Sequence, residues 1–329
     1  EYECLTDATA LRVDATVHAG EHSARCVLIE GHTNIGLIQV DGEDRFRSPS
    51  FSEKIASKEN DASTPLLGTL AYRDTLSQCD ISTLLDMAES IDEEDRQYLQ
   101  RGVEMNLAMA ARGYEIPGIA LQIQHLLRQG YCADDLFYRA KLQVAAGIDA
   151  RMAGVEQSVM TSGGSGNQGL VAIVTTYLVG RKLQLDEDRI LRGIAAAHLL
   201  NAYVKCFVGE NASICGCALS AAIGAAGAIV FMKNGADEAR INLAINNVIG
   251  DLSGLICDGA KPGCAMKGVS AVDTAIRSGL MALDDFGLTP DQGLAGATPS
   301  ETIKNLARIT HDGMYPVDPT VLAILREKG

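Results

Sequence analysis

The feature that most constrains the fold is the run at 218–232, ALSAAIGAAGAIVFM, an almost wholly apolar stretch built mainly from Ala and Gly. It is too short and too Gly-rich to span a bilayer, which takes about 20 apolar residues. Small side chains let helix backbones approach closely, so the run predicts a helix near 217–233 packed tightly against its neighbours. The composition agrees: 33 Gly, 5% aromatic residues and no Trp. At 329 residues the chain can build one large domain or two smaller ones, with a sizeable core.

Along the chain the hydrophobic pattern changes once. Residues 10–17, 23–30 and 35–40 read as strands, separated by turns at Gly20-Glu21, at Gly31-His32-Thr33-Asn34 and at Asp41-Gly42. Residues 43–78 are polar, hold Pro49 and Pro65, and read as a long loop or linker. From Ser82 the period becomes helical. Ile91-Asp92-Glu93-Glu94-Asp95 opens one helix and Arg112-Gly113 closes it; Ala133-Asp134-Asp135 opens another that runs towards Arg151. Further helices are expected from Asn167 to Gly180, from Asp186-Glu187-Asp188 past His198, and near 236–249 and 265–283. The expected class is α+β. A small β-containing part covers 1–45, a linker 46–80, and a mostly α-helical catalytic domain 81–329. The sequence begins at Glu1, not Met, inside what reads as a strand, so an N-terminal segment is expected ahead of it.

A net charge of −14, with no stripe of Lys and Arg, argues against a nucleic-acid partner. No apolar run of 18 or more residues predicts a membrane span, and the expected location is cytoplasmic. Nine Cys is an odd number and no signal peptide precedes them, so reduced thiols or metal ligands are favoured over disulfides.

Those thiols gather in bending, Gly-rich text: Ile214-Cys215-Gly216-Cys217-Ala218, and Ile256-Cys257-Asp258-Gly259-Ala260-Lys261-Pro262-Gly263-Cys264. Gly259, Pro262 and Gly263 make the second stretch a loop, which lets Cys257 and Cys264 converge. Cys215 lies just ahead of a helix start, where free N–H groups and the dipole favour a thiolate. Soft thiolates on bendable backbone suit an iron–sulfur cluster or zinc. Three ligands leave one iron open to act as a Lewis acid. All of Cys215, Cys217, Cys257 and Cys264 together would close a structural site. The plain alternative is a set of core cysteines at helix boundaries.

A second candidate is Ser162-Gly163-Gly164-Ser165-Gly166-Asn167-Gln168-Gly169, which feeds an apolar helix. Backbone N–H groups at such a start suit a carboxylate or phosphate, with Ser165 and Asn167 to orient it. It lacks the ending of a P-loop, and its plain reading is an inter-helix loop. His32, in a polar turn, is a candidate base or ligand, or a turn residue. His198 reads as a hydrogen-bonded core histidine. Asp149-Ala150-Arg151 is either an ion pair or a substrate clamp, and Lys205 and Glu210 enter only through proximity to Cys215.

Taken together, Gly31-His32-Thr33-Asn34-Ile35, Asp149-Ala150-Arg151-Met152, Ser165-Gly166-Asn167-Gln168-Gly169, Ile249-Gly250-Asp251 and Ile256-Cys257-Asp258-Gly259-Ala260 resemble the L-cysteine desulfidase family, and Asn211-Ala212-Ser213-Ile214 and Gly254-Leu255-Ile256-Cys257-Asp258 resemble the corresponding segments of serine dehydratases. That family is related to the α-subunit of iron–sulfur L-serine dehydratases, and the resemblance runs the length of the chain. It implies a lyase of amino-acid catabolism that performs α,β-elimination on L-cysteine or L-serine. The implied cofactor is a [4Fe–4S] cluster, with no pyridoxal phosphate. Carried over, the cluster ligands are Cys215, Cys257 and Cys264, with Cys217 the alternative to Cys215. Arg151, Ser165, Gly166, Asn167 and Gln168 are the substrate-binding candidates. The family's Gly-Cys-Thr-Glu-Pro motif, whose cysteine is its proposed base, has no counterpart here and is expected upstream of Glu1. The implied partners are a small amino-acid substrate and either further copies of the chain or a separate N-terminal piece. The competing readings are a non-catalytic, metal-stabilised helical protein and an amino-acid-binding protein.

Overall fold

The strands form one antiparallel meander in chain order: β1 (Arg12–Ala19), β2 (His22–Ile29), β3 (Ile35–Val40) and β4 (Glu43–Arg47). In the computed structural model, the described residues are 12–29, 34–49, 51–52, 72–209 and 212–328. Asp41 and Gly42, both at positive φ (52° and 82°), make the two-residue turn between β3 and β4, the geometry that matches strand twist. Val27, Ile29 and Leu37 form a small core with Phe51 packed on it. Arg12 and Arg47 stack their guanidinium groups on that ring at 5.4 and 5.0 Å. β4 lies within the stretch read as loop. So does a short helix, α1 (Tyr72–Ser77). Residues 1–78 form one compact unit and 79–329 a second.

The second unit is mostly helical: α2 (Ile81–Glu89), α3 (Glu93–Gly113), α4 (Ile119–Arg128), α5 (Leu136–Met152), α6 (Gly166–Gly169), α7 (Thr175–Lys182), α8 (Glu187–Val208), α9 (Leu219–Asn234), α10 (Glu238–Leu252), α11 (Cys264–Leu283), α12 (Pro299–Arg308) and α13 (Val317–Glu327). The expected α+β architecture therefore holds. Acids at the helix starts act as read. Asp92 and Asp95 form a reciprocal capping box on α3, and Asp135 and Asp186 accept from the third backbone N–H of α5 and α8.

The Ala/Gly run is α9, and every residue from Leu219 to Met232 is buried. It packs against α8, α10 and α11. A Cβ on Gly224 would stand 2.5 Å from the Ala197 carbonyl oxygen, and one on Gly279 of α11 would stand 2.8 Å from Ile229. The helices thus meet backbone to backbone, which only glycine permits. Among the described residues no helix is long and apolar enough to cross a membrane.

Candidate active site

The helix carrying the Ser/Gly/Asn motif is interrupted. α6 runs into a buried π-turn, Leu170–Val174, and then into α7. Ahead of it, Ser162 and Ser165 pair as a tight hairpin, with N···O distances of 3.1 and 3.0 Å. Gly163 and Gly164 sit at φ 54° and 83°, where a side chain would be strained. Gly169 packs on the chain behind the hairpin: a Cβ there would lie 2.0 Å from the Met160 carbonyl oxygen. The loop is therefore a rigid platform and not a loose connection. Gly166, Asn167 and Gln168 are buried, and the first N–H groups of their helix have no intrahelical acceptor.

Asp149 and Arg151 have separate partners. Asp149 is 3% exposed, and its Oδ2 accepts from the Ala120 N–H at 2.8 Å, at the start of α4. Gly118 leaves room for this, since a Cβ there would meet the carboxylate at 2.5 Å. Burial pushes the Asp149 carboxyl pKa up. Arg151 does not pair with it; its Nη1 donates to Asn167 Oδ1. The absence of a side chain on Gly166 admits the guanidinium, because a Cβ would stand 2.6 Å from Arg151 Cζ. Burial draws the Arg151 pKa down, against the opposing pull of the Cys217 and Cys264 sulfurs.

The cysteine loops are joined by backbone. Ile214 and Ile256 form an antiparallel bridge: Cys215 N–H donates to Leu255 O and Cys257 N–H to Ser213 O, each at 2.7 Å. Cys215 is buried, Cys217 and Cys264 are half-buried, and Cys257 is exposed. The Cys217 sulfur beside it, together with burial, raises the Cys215 pKa. The neighbouring Cys215 thiol lowers that of Cys217, helped by Ser165, Lys205 and Arg151 and opposed by burial. Ser165 Oγ and Cys217 Sγ share a hydrogen bond of 3.5 Å, so the platform and the cysteine loops touch. Cys264 opens α11 and its sulfur accepts from the Lys261 N–H at 3.4 Å. Lys261 and Lys267 flank Asp258, holding its carboxyl down to about 2, and Lys267 also donates to Ile256 O at 2.8 Å.

Among the described residues, no three His, Cys, Asp or Glu side chains close on one point as a single metal ion requires. A cluster asks for something different, since each thiolate binds its own iron. The donor set has the right chemistry for that: sulfur ligands on two bridged loops, with the positive charges of Arg151 and Lys267 acting on them.

A buried polar group adds Asn201 and Ser220, which the motifs did not disclose, to the already named Gln168 and Lys205. Gln168 Nε2, Lys205 Nζ and Ser220 Oγ stand 3.3, 3.6 and 3.8 Å from where a Cβ on Gly216 would lie. Asn201 Nδ2 donates to Ser162 Oγ at 2.8 Å. Gln168 Oε1, Asn201 Oδ1 and Ser220 Oγ are buried with no partner, the mark of a place where polar ligand or solvent groups belong. The available signal was a pair of polar residues, Asn201 and Lys205, four apart on the otherwise apolar face of α8. His198 also differs from expectation: its Nε2 is buried and has no partner. His32, Asn211 and Glu210 lie outside the described residues.

Comparison with known proteins identifies the family. The family model described as serine dehydratase alpha chain matches residues 13–323. The UPF0597 protein of Geobacter sulfurreducens is 42% identical over 98% of this chain and 73% of its own length. UPF0597 proteins of Elusimicrobium minutum and Desulfatibacillum aliphaticivorans are 39% and 34% identical, over 96% and 98% of this chain and 71% and 73% of theirs. With the match covering nearly all of both helical and β-containing parts, the chain belongs to the serine dehydratase α-chain family.

Proposed function

We propose that this chain is a cytoplasmic iron–sulfur lyase that eliminates sulfide from L-cysteine, or water from L-serine, to leave aminoacrylate and then pyruvate and ammonia. The observation that carries the reading is the meeting of two loops. The 165–169 platform, suited to a carboxylate, touches the cysteine loops through Ser165 and Cys217 and through Arg151. Cys257, Cys264 and Cys215 would hold a [4Fe–4S] cluster, with Cys217 the alternative. Cys215 is preferred because its backbone pairs with the segment that carries Cys257, whereas Cys217 lies against Ser165. When bound, such a cluster supplies a Lewis-acidic iron to the leaving group.

The chain's own residues do the rest of the positioning. The substrate carboxylate lies on the N–H groups at 166–168, with Arg151 as its counter-charge and Asn167 fixing the guanidinium. The partnerless atoms of Gln168, Asn201 and Ser220 are available to the substrate's polar groups. Burial of this floor keeps bulk water from competing for those hydrogen bonds.

The test is iron and acid-labile sulfide on anaerobically purified protein, followed by pyruvate release from L-cysteine and L-serine. The expected content is about four of each per chain. Neither iron nor sulfide after reconstitution would sink the reading. Amino-acid binding without pyruvate release, on cluster-loaded protein, would make the chain a binding protein instead.

A further inference from the structure

The four-stranded sheet divides its side chains unequally between its faces. One face holds the small core of Val27, Ile29 and Leu37. Around it runs a ladder of polar pairs that crosses every strand: Asp14 with Arg25, Arg25 with Gln39, Gln39 with Asp44, and Asp44 with Arg47. The register sends the alternate residues to the other face. There Val13, Ala15 and Val17 of β1 lie opposite Leu28, Cys26 and Ala24 of β2. Ile38 and Val40 of β3 and Phe46 of β4 continue the patch, with Glu43 at its rim beside Val40. None of these apolar residues is buried, and Val17 and Phe46 are 68% and 48% exposed.

Four strands about 4.8 Å apart and about 24 Å long give this face a footprint of roughly 450 Å². A contiguous apolar patch of that size marks an interaction site. Two such faces together hide about 900 Å², more than most chance contacts and within the range of weak, reversible association.

The face is also shaped to meet itself. Ala15, Cys26 and Ala24 leave a shallow trough in the β1–β2 half, whereas Ile38, Val40 and Phe46 make the β3–β4 half bulky. A two-fold axis running along the strands lays β1 of one copy over β4 of the other. Ala15, Cys26, Ile38 and Phe46 share one cross-strand row. Phe46 of one copy then stands over Ala15 of the other, and Ile38 over Cys26, so that large meets small as packed sheets require. Charge does not oppose the match: residues 12–52 hold four Arg against six Asp and Glu, whereas the whole chain carries −14.

We propose that two copies of this chain dock through the apolar sheet face, across a two-fold axis along the strands. The face lies in the 1–78 unit and owes nothing to the lyase reading.

The test is sedimentation equilibrium of the full chain, reduced and anaerobic, from about 1 to about 200 µM. The expected dissociation constant is on the order of 10 µM. Phe46→Lys should weaken dimerisation about tenfold or more. Thr16→Lys, on the polar face, should leave it unchanged. Ala15→Phe separates shape from stickiness: it adds apolar surface but collides with Phe46 of the other copy. Dimerisation should weaken severalfold, and adding Phe46→Ala should restore it. Each substituted side chain is exposed, so the fold is spared. A chain that stays monomeric at about 200 µM overturns the proposal and leaves the face to a different partner. A dimer indifferent to Phe46→Lys overturns the sheet as its seat. Tighter dimerisation by Ala15→Phe overturns the two-fold register.

Discussion

The His198 imidazole, half-buried with its Nε2 shut off from solvent, should make the helical unit lose stability as pH falls. Its pKa is about 4 in the folded chain against an ordinary value of 6.5. The unfolded chain therefore binds more protons between those values, and stability rises with pH across that window. Integrating one site with these two values gives a loss of about 2 kcal/mol between pH 7 and pH 5. His198→Phe keeps a ring of similar size and removes the titration. Many carboxylates titrate in the same range, but they are common to both proteins and cancel in the comparison. The assay is urea unfolding of native and variant chains at pH 7 and pH 5, followed by helical circular dichroism. At pH 7 the variant should be equal or slightly more stable, because it no longer buries a partnerless nitrogen. At pH 5 it should exceed the native protein by about 2 kcal/mol more than it does at pH 7. Parallel stability profiles, agreeing within about 0.5 kcal/mol, would refute the claim that this ring is sealed as a neutral group.

Other perturbations probe the site and the core. Cys257→Ala should abolish iron and sulfide retention while leaving the fold intact; retained iron would refute the ligand assignment. Gly166→Ala places a methyl 2.6 Å from the Arg151 guanidinium carbon, so KM for the amino acid should rise about tenfold with cluster content unchanged. Equal KM in the two proteins would move the carboxylate elsewhere. Thr302→Val removes the hydroxyl that donates to Asn246 Oδ1 at 2.6 Å and accepts from Gly296 N–H at 2.8 Å. With both left buried and unpaired, the urea transition should weaken by about 2 kcal/mol, and a change below about 0.5 kcal/mol would contradict the network. Asp149→Asn should gain stability relative to the native chain as pH rises above the ordinary carboxyl value of 3.8, because the folded pKa is raised by burial. A gain that is independent of pH would show that this carboxyl ionises freely.

Helix starts were legible where the cap is local. Asp92, Asp135 and Asp186 each bond backbone three residues on, and a reader of sequence can see both partners. α4 was invisible for the opposite reason. Its first turn follows Gly118, which offers no side chain, and the bond to Ala120 comes from Asp149, 29 residues away. β4 escaped notice because all five of its residues are exposed, so neither face imposes an alternation of apolar and polar residues. The cysteine loops could be named from composition, but their meeting depends on a bridge between residues 42 positions apart. Asn201 was hidden in an apolar helix, whereas Lys205 could be picked out through proximity to Cys215; the folded chain sets both beside Gly163.

The Ile214–Ile256 bridge carries a consequence for how the site is filled. Its two bonds run main chain to main chain, so they fix Cys215 opposite Leu255 and Cys257 opposite Ser213 whatever the sulfurs are doing. Zinc fingers work the other way round, with the metal drawing an unfolded chain together. Here the thiols are set out by a peptide framework that leads straight into the buried core of α9. Under the cluster reading proposed above, such a chain would be emptied and refilled as a finished vessel: loss of iron in air would be damage to the contents, and repair would call for a donor of inorganic cluster, not for a chaperone.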